Sequence, residues 1–240
     1  MDKPKITTIV VIICIIILGL YAAGEVNYYS SKIAIEKNID SPVVNIPTIG
    51  IEEKINNVSL SQGVMHDAKS FTPTNGDVIL SGHRTLQGSP FLRLNGLNNG
   101  DVSTLEWPGS GEVNYTVINK TLVEPTARIN TQSNGTHIYL ITCDPIGSTA
   151  HRLIIEGELS DVGPINDKII QNNPHESYAL IITTAFLVIG LIFSYFYPKN
   201  NRIYILAIVL IISAILFYFY LFPIDSNIIY EKILWLNGGM

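Results

Sequence analysis

Three apolar blocks free of charge decide most of what this chain can be. They run over residues 6–23, 178–197 and 203–222, each 18 to 20 residues long. A hydrocarbon layer about 30 Å thick needs roughly 20 apolar residues of helix, so each block is predicted to span a membrane. The two later blocks are apolar all round, which a helix on a soluble surface avoids. Only the stretch between the first block and the second is left to form a water-exposed domain.

Basic residues beside the spans give the orientation. Lys3 and Lys5 precede the first block, and Lys199 and Arg202 lie in the hinge between the later two. Both places are expected on the cytoplasmic side, which puts residues 24–177 outside. That segment carries 17 Asp and Glu against 10 Lys and Arg, a net charge of −7. Its acidity and scattered arginines exclude nucleic-acid binding. The expected order is a cytoplasmic N-terminus (1–5), a signal-anchor (6–23), a polar stalk (24–42), a folded domain (43–162) and a linker (163–177). Spans at 178–197 and 203–222 follow, joined by a cytoplasmic loop (198–202), with an outer tail (223–240). Cleavage near Tyr21-Ala22-Ala23-Gly24 is the alternative for the first block, but its apolar run exceeds a usual signal core.

The outer segment reads as short β-type runs: Val43–Ile51, Lys54–Leu60, Val78–Ser81, Val102–Trp107, Glu112–Val123, His137–Thr142 and Arg152–Leu159. Asn75-Gly76, Asn99-Gly100-Asp101, Pro108-Gly109-Ser110-Gly111 and Asn134-Gly135 punctuate them as turns. This pattern predicts an all-β sandwich or barrel. Ser89-Pro90 ahead of Phe91-Leu92-Arg93-Leu94 predicts one short helix. About 120 residues suffice for one core. Sequons at Asn57, Asn114, Asn119 and Asn134 suit an exported protein.

The two cysteines cannot pair, since Cys14 lies in the first span and Cys143 outside it. Cys143 ends the run Tyr139-Leu140-Ile141-Thr142-Cys143, Arg152 stands on the next run, and His83 follows Val78-Ile79-Leu80-Ser81. A thiol must become thiolate to attack, and a nearby cation favours that form. An imidazole can move the protons, and a guanidinium stays cationic and can steady an oxyanion. Cys143, His83 and Arg152 are therefore the candidate catalytic set. Taken singly, Cys143 could be a small buried hydrophobe, His83 a turn residue, and Arg152 a surface partner of Asp144 or Glu156. His151 reads as structural, and His66, His137 and His175 have no ligand spacing. A metal site from Cys143, Asp144 and His151 lacks the paired ligands of zinc sites, so neither metal nor other cofactor is expected.

At these residues the chain resembles the sortase family. Ile46-Pro47-Thr48-Ile49-Gly50-Ile51, Ile79-Leu80-Ser81-Gly82-His83-Arg84, Pro90-Phe91-Leu92-Arg93-Leu94 with Gly100-Asp101, Leu140-Ile141-Thr142-Cys143-Asp144-Pro145 and His151-Arg152-Leu153-Ile154 occur in the family's order, over residues 43–160. The resemblance implies an all-β fold: a closed sortase-type barrel of seven to eight strands with one or two short helices. It implies a cysteine transpeptidase that cleaves an LPXTG-type sorting signal of surface proteins at its Thr–Gly bond. The thioacyl-enzyme would then pass to an amine acceptor, a cell-wall component or a pilin lysine. Cys143 would be the nucleophile, His83 the general acid/base and Arg152 the substrate-positioning and oxyanion group. The Cys143–Arg152 run is most similar to the pilin-polymerising, class C-like branch, and the Asn- and Ile-rich segment is also compatible with an archaeal source. Three features depart from the pattern: Tyr139 stands where Thr often begins the motif, the stalk has no Asp-Pro-aromatic lid, and two carboxy-terminal spans replace one. A non-catalytic adhesion or assembly barrel held by membrane lipid is the competing reading.

Overall fold

A computed structural model describes residues 5–36 and 41–233. It divides into two compact units, one helical and one built on β-strands.

The β unit is a closed barrel. Its strands are β1 (Val43–Ile46), β2 (Ile51–Asn56), β3 (Val64–His66), β4 (Val78–Ser81), β5 (Val102–Trp107), β6 (Gly111–Val123), β7 (His137–Asp144) and β8 (His151–Gly163). They close in the order β1-β2-β3-β4-β7-β8-β6-β5, with β5 returning to β1. Two pairings are parallel, β2 with β3 and β4 with β7. Alternation builds the interior, because successive side chains of a strand face opposite ways. On β6 Val113, Tyr115 and Val117 are buried, on β7 Ile138, Leu140 and Thr142, and on β8 Leu153 and Ile155. These meet Val44, Ile46, Leu80, Phe91, Leu94, Leu97 and Leu105 in one core.

Three elements differ from the sequence expectation, each for a local reason. The run at 43–51 is two strands, because Pro47 opens a single turn of 3₁₀ helix, Pro47–Ile49. Gly50 then closes that turn with φ of +67°, and Ile46 pairs with Ile51 across the resulting hairpin. The next strand stops at Asn56, whose side-chain oxygen accepts from the N–H groups of Val58 and Ser59 at 3.0 and 2.9 Å. The helix expected after Ser89 is a turn leading into a 3₁₀ segment, Leu94–Gly96. Phe91, Leu94 and Leu97 are all fully buried there, a three-residue spacing that suits three residues per turn. After the barrel, residues 164–172 dock on its wall. Glu106 accepts from the Asn166 N–H at 2.8 Å, Lys54 donates to the Ile170 carbonyl, and Asn172 donates to Glu52 at 2.7 Å. The helix α2 (Asp167–Gln171) buries Ile170 there.

The helical unit holds α1 (Ile6–Glu36), α3 (Tyr178–Phe196), α4 (Arg202–Leu221) and α5 (Ser226–Ile233). Three of its helices, Ile6–Ile33, Tyr178–Phe196 and Arg202–Leu221, are long and apolar enough to cross a membrane. Gly190 lets α3 approach α4: a Cβ there would lie 2.5 Å from Val209. The stretch expected as a polar stalk is helical through Glu36, and residues 37–40 lie outside the described residues. Among its described side chains, Glu25, Asn27, Ser30 and Lys32 are buried. Asn27 is buried and bonds the Ile224 backbone twice, donating at 3.0 Å and accepting at 2.9 Å. Ser31 shares a 2.7 Å hydrogen bond with Ser226.

Candidate functional site

The end of β7 and the start of β8 place the first two candidates. In that antiparallel ladder Cys143 is directly opposite Arg152, and Asp144 opposite His151. Opposed residues of an antiparallel pair project from the same face with Cβ atoms about 5 Å apart. On β7 the inward places go to Ile138, Leu140 and Thr142, so Cys143 belongs to the outward row with Tyr139 and Ile141. The thiol is half-exposed, which removes the reading of a small core hydrophobe. Arg152 makes no carboxylate pair among the described contacts. Its guanidinium donates to the backbone carbonyls of Thr149 and His151, both at 3.3 Å.

The third candidate comes from the opposite flank. β4 runs parallel to β7 with Ser81 beside Ile141. The ladder continues beyond β4, since the Gly82 N–H donates to the Ile141 carbonyl at 3.1 Å. Counted on two residues from that pair, His83 comes level with Cys143. Arg152 and Cys143 thus form one row across β7 and β8, and register alone puts His83, two residues past the end of β4, at its level. The segment carrying His83 is packed tightly. A Cβ on Gly82 would lie 2.7 Å from the Phe91 ring, and the Phe91 N–H donates to the His83 carbonyl at 3.0 Å. His83 is only 8% exposed. Burial disfavours its charged form and lowers its pKa to about 4. At neutral pH the imidazole is therefore uncharged, and the same burial makes it a weaker base than a free imidazole.

Two residues beside this row were not singled out from the sequence. Arg84 is buried, forms an ion pair with Asp144, and also donates to the carbonyls of Leu92 (3.3 Å) and Cys143 (3.4 Å). Thr142 is buried and donates to the Gly82 carbonyl at 2.8 Å. The available signal was adjacency: a permanent cation follows the histidine and an acid follows the cysteine. Beside the loop after Cys143 lies an open groove of about 690 Å³, lined by residues including Thr48, Gly50, Arg93 and Ile146.

The remaining histidines lie elsewhere. His151 is exposed. His66 bonds Ser70 and the Phe71 carbonyl, each at 3.0 Å. His137 lies 3.5 Å from Asp77 and stacks on Tyr139, and His175 packs against Tyr29 and Tyr178.

A half-exposed thiol opposite a cation, with an imidazole on the neighbouring segment, is a set of groups able to carry out acyl transfer through sulfur. The sortase domain family matches residues 34–160. No curated protein matches the chain. Sortase C-1 from Actinomyces oris is 28% identical with a TM-score of 0.47, over 52% of this chain and 76% of its own. Clostridium perfringens sortase C, solved with the C-terminal cell wall sorting motif, is 26% identical with a TM-score of 0.46, over 50% of this chain and 70% of its own. Sortase A from Corynebacterium diphtheriae, a lid mutant, is 24% identical with a TM-score of 0.47, over 52% and 73%.

Proposed function

Because this chain belongs to the sortase family of cysteine transpeptidases, we propose that Cys143, His83 and Arg152 are its catalytic residues. We further propose that it joins surface proteins bearing an LPXTG-type sorting signal to an amine. The observation that carries this reading is the row in which Cys143 lies between Arg152 and the level of His83.

In the first half-reaction the Cys143 sulfur attacks the carbonyl carbon of the Thr–Gly bond. The neutral His83 imidazole takes the thiol proton as the C–S bond forms. Arg152 steadies the negative oxygen of the tetrahedral intermediate, where a fixed cation stabilises developing charge. His83 then gives its proton to the departing glycine nitrogen, the C–N bond breaks, and a thioester remains on Cys143. In the second half an acceptor amine attacks that thioester, His83 removes the amine proton, and Cys143 leaves as thiol. One amide is broken and one made, so no external energy source or cofactor enters the balance. The acceptor is a primary amine of a cell-wall component or of a pilin lysine.

The barrel faces the outside of the cell in this reading. Lys3, Lys5, Lys199 and Arg202 would stay in the cytoplasm, with the three apolar helices in the bilayer. Residues 43–162 form the catalytic domain. The test uses the full chain in lipid nanodiscs, a peptide with an LPXTG-type signal, and an amine. Intact-mass spectrometry should show a thioester on Cys143 followed by the peptide–amine product, and neither with Cys143→Ala. Absence of acylation, or equal labelling of Cys143→Ala, would leave the non-catalytic adhesion barrel instead.

A further inference from the structure

The residues on either side of His83 are bonded to the residues on either side of Cys143. Before the histidine, the Gly82 carbonyl accepts from the Thr142 hydroxyl at 2.8 Å. After it, the Arg84 guanidinium pairs with the Asp144 carboxylate. Arg84 also donates to the carbonyl of Cys143 itself and, through Nε, to that of Leu92. One planar group therefore ties the end of the β7 strand to the chain that leaves His83. The last ladder bond on this side is that of the Gly82 N–H to the Ile141 carbonyl, one residue before His83.

We propose that Arg84, held by Asp144, is a positioning residue that sets where His83 stands relative to Cys143. A guanidinium presents five N–H donors in a fixed fork, so three acceptors held by it acquire a fixed mutual geometry. An ammonium is a point charge on a flexible stem and imposes no such plane. Arg84 is only 4% exposed. A charge in such a place is unfavourable unless paired and fully hydrogen-bonded, and its partners here are the nucleophile's own carbonyl and the next side chain. Arg84 touches no reacting atom in this account. It acts through the separation of the other two groups, on which proton transfer depends steeply. Asp144 cancels its charge, which leaves Arg152 as the uncompensated cation of the row.

This inference rests on Cys143 and His83 being the reacting pair, and its test is arranged to stand apart from that assignment. The full chain in nanodiscs is compared with Arg84→Met, Arg84→Lys and Asp144→Asn by two assays. The first measures kcat and KM with an LPXTG-type peptide and an amine. The second follows alkylation of Cys143 by iodoacetamide against pH, which needs no sorting substrate. Arg84→Met should lower kcat about 100-fold with KM within about twofold, and Arg84→Lys should recover only part of that loss. With the clasp open, water reaches His83, so the acid inflection of the kcat profile should rise from about 4 towards the ordinary histidine range, and the pH dependence of alkylation should change from the parent chain's. Asp144→Asn leaves the Arg84 charge unbalanced beside the imidazole, so its inflection should not rise although kcat falls. It also reads the clasp if Arg84→Met does not fold. A wild-type kcat in Arg84→Met or Asp144→Asn overturns the proposal. So does a loss that follows only the folded fraction, with the inflection unmoved. If the parent chain alkylates normally yet never acylates, the sorting reaction fails and the alkylation profiles alone judge the clasp.

Discussion

Cys143 stands directly opposite Arg152 in the β7–β8 ladder, so the thiol and the guanidinium leave the sheet on the same side. Among the described residues Arg152 spends its hydrogen bonds on the backbone carbonyls of Thr149 and His151 rather than on a carboxylate. In the proposed reaction its charge is thus available to the oxyanion formed from the attacked carbonyl. Arg152→Ala is expected to lower kcat about 100- to 1000-fold, and Arg152→Lys to retain more of it. Neither should shift the thermal midpoint appreciably, because the side chain is half-exposed. A large drop in midpoint with both variants would mark Arg152 as structural.

Burial of His83 makes the barrel's stability depend on pH. Its pKa falls from 6.5 to about 4, so the unfolded chain binds a proton where the folded one does not. The stability tied to the neutral ring is fully present above pH 6.5 and is lost as pH falls through 4. That difference corresponds to about 3 kcal/mol. Denaturant unfolding between pH 7.5 and 3.5 should show a loss of this order that is absent from His83→Gln. Parallel curves for the two proteins would contradict it.

Gly82 has no space for a side chain, since a Cβ would sit 2.7 Å from the Phe91 ring. Gly82→Ala should destabilise the barrel by about 1–3 kcal/mol and displace His83, which follows it. Phe91→Leu introduced with it should restore part of the activity if the clash is the cause. Unchanged stability in Gly82→Ala would show that the contact yields.

Glu106 is buried opposite Glu112 and accepts from the Asn166 N–H. Burial, joined by the Glu112 charge, raises its pKa against the pull of that N–H. A carboxyl with a raised folded pKa favours folding below its unfolded pKa, and that contribution disappears as pH rises through the folded value. Glu106→Gln keeps an acceptor for Asn166 and removes the charge. It should therefore raise the thermal midpoint at pH 8 and change it little at pH 4. A lower midpoint at pH 8 would argue that the ionised carboxylate is needed.

Membrane topology can be read by labelling single cysteines in a Cys14→Ser, Cys143→Ala background. Asn57 is exposed on the barrel, and Asn200 lies in the turn between α3 and α4. An impermeant maleimide applied to intact cells should modify Asn57→Cys, and reach Asn200→Cys only after permeabilisation. Labelling of Asn200→Cys in intact cells would reverse the assigned orientation.

The legible parts of this chain were those with a strong local pattern. The three long apolar helices announced themselves by uninterrupted apolar length, and β6, β7 and β8 by alternation such as Val113, Tyr115, Val117. Cys143 and Arg152 stood out as candidates because each lies near a strand end bounded by turn residues. β3 was not visible: Val64–His66 is held by two parallel pairs to β2 and two antiparallel pairs to β4, too few for a period to show. The contacts of the polar stretch 24–33 were not visible, because residue type cannot say what a polar side chain meets. Asn27 and Ser31 meet Ile224 and Ser226, some 195 positions away. The Arg84–Asp144 pair was hidden for the same reason, each partner being unremarkable until the parallel β4–β7 pairing brings them together.

Since β5 returns to β1, each strand of the barrel already has a neighbour on both sides. Where both neighbours are laddered, as along Val113–Thr116 of β6, an arriving polypeptide finds no vacant main-chain row on which to zip. There, what discriminates one visitor from another is written in side chains standing off the wall, and can be rewritten by point substitution without touching the hoop beneath.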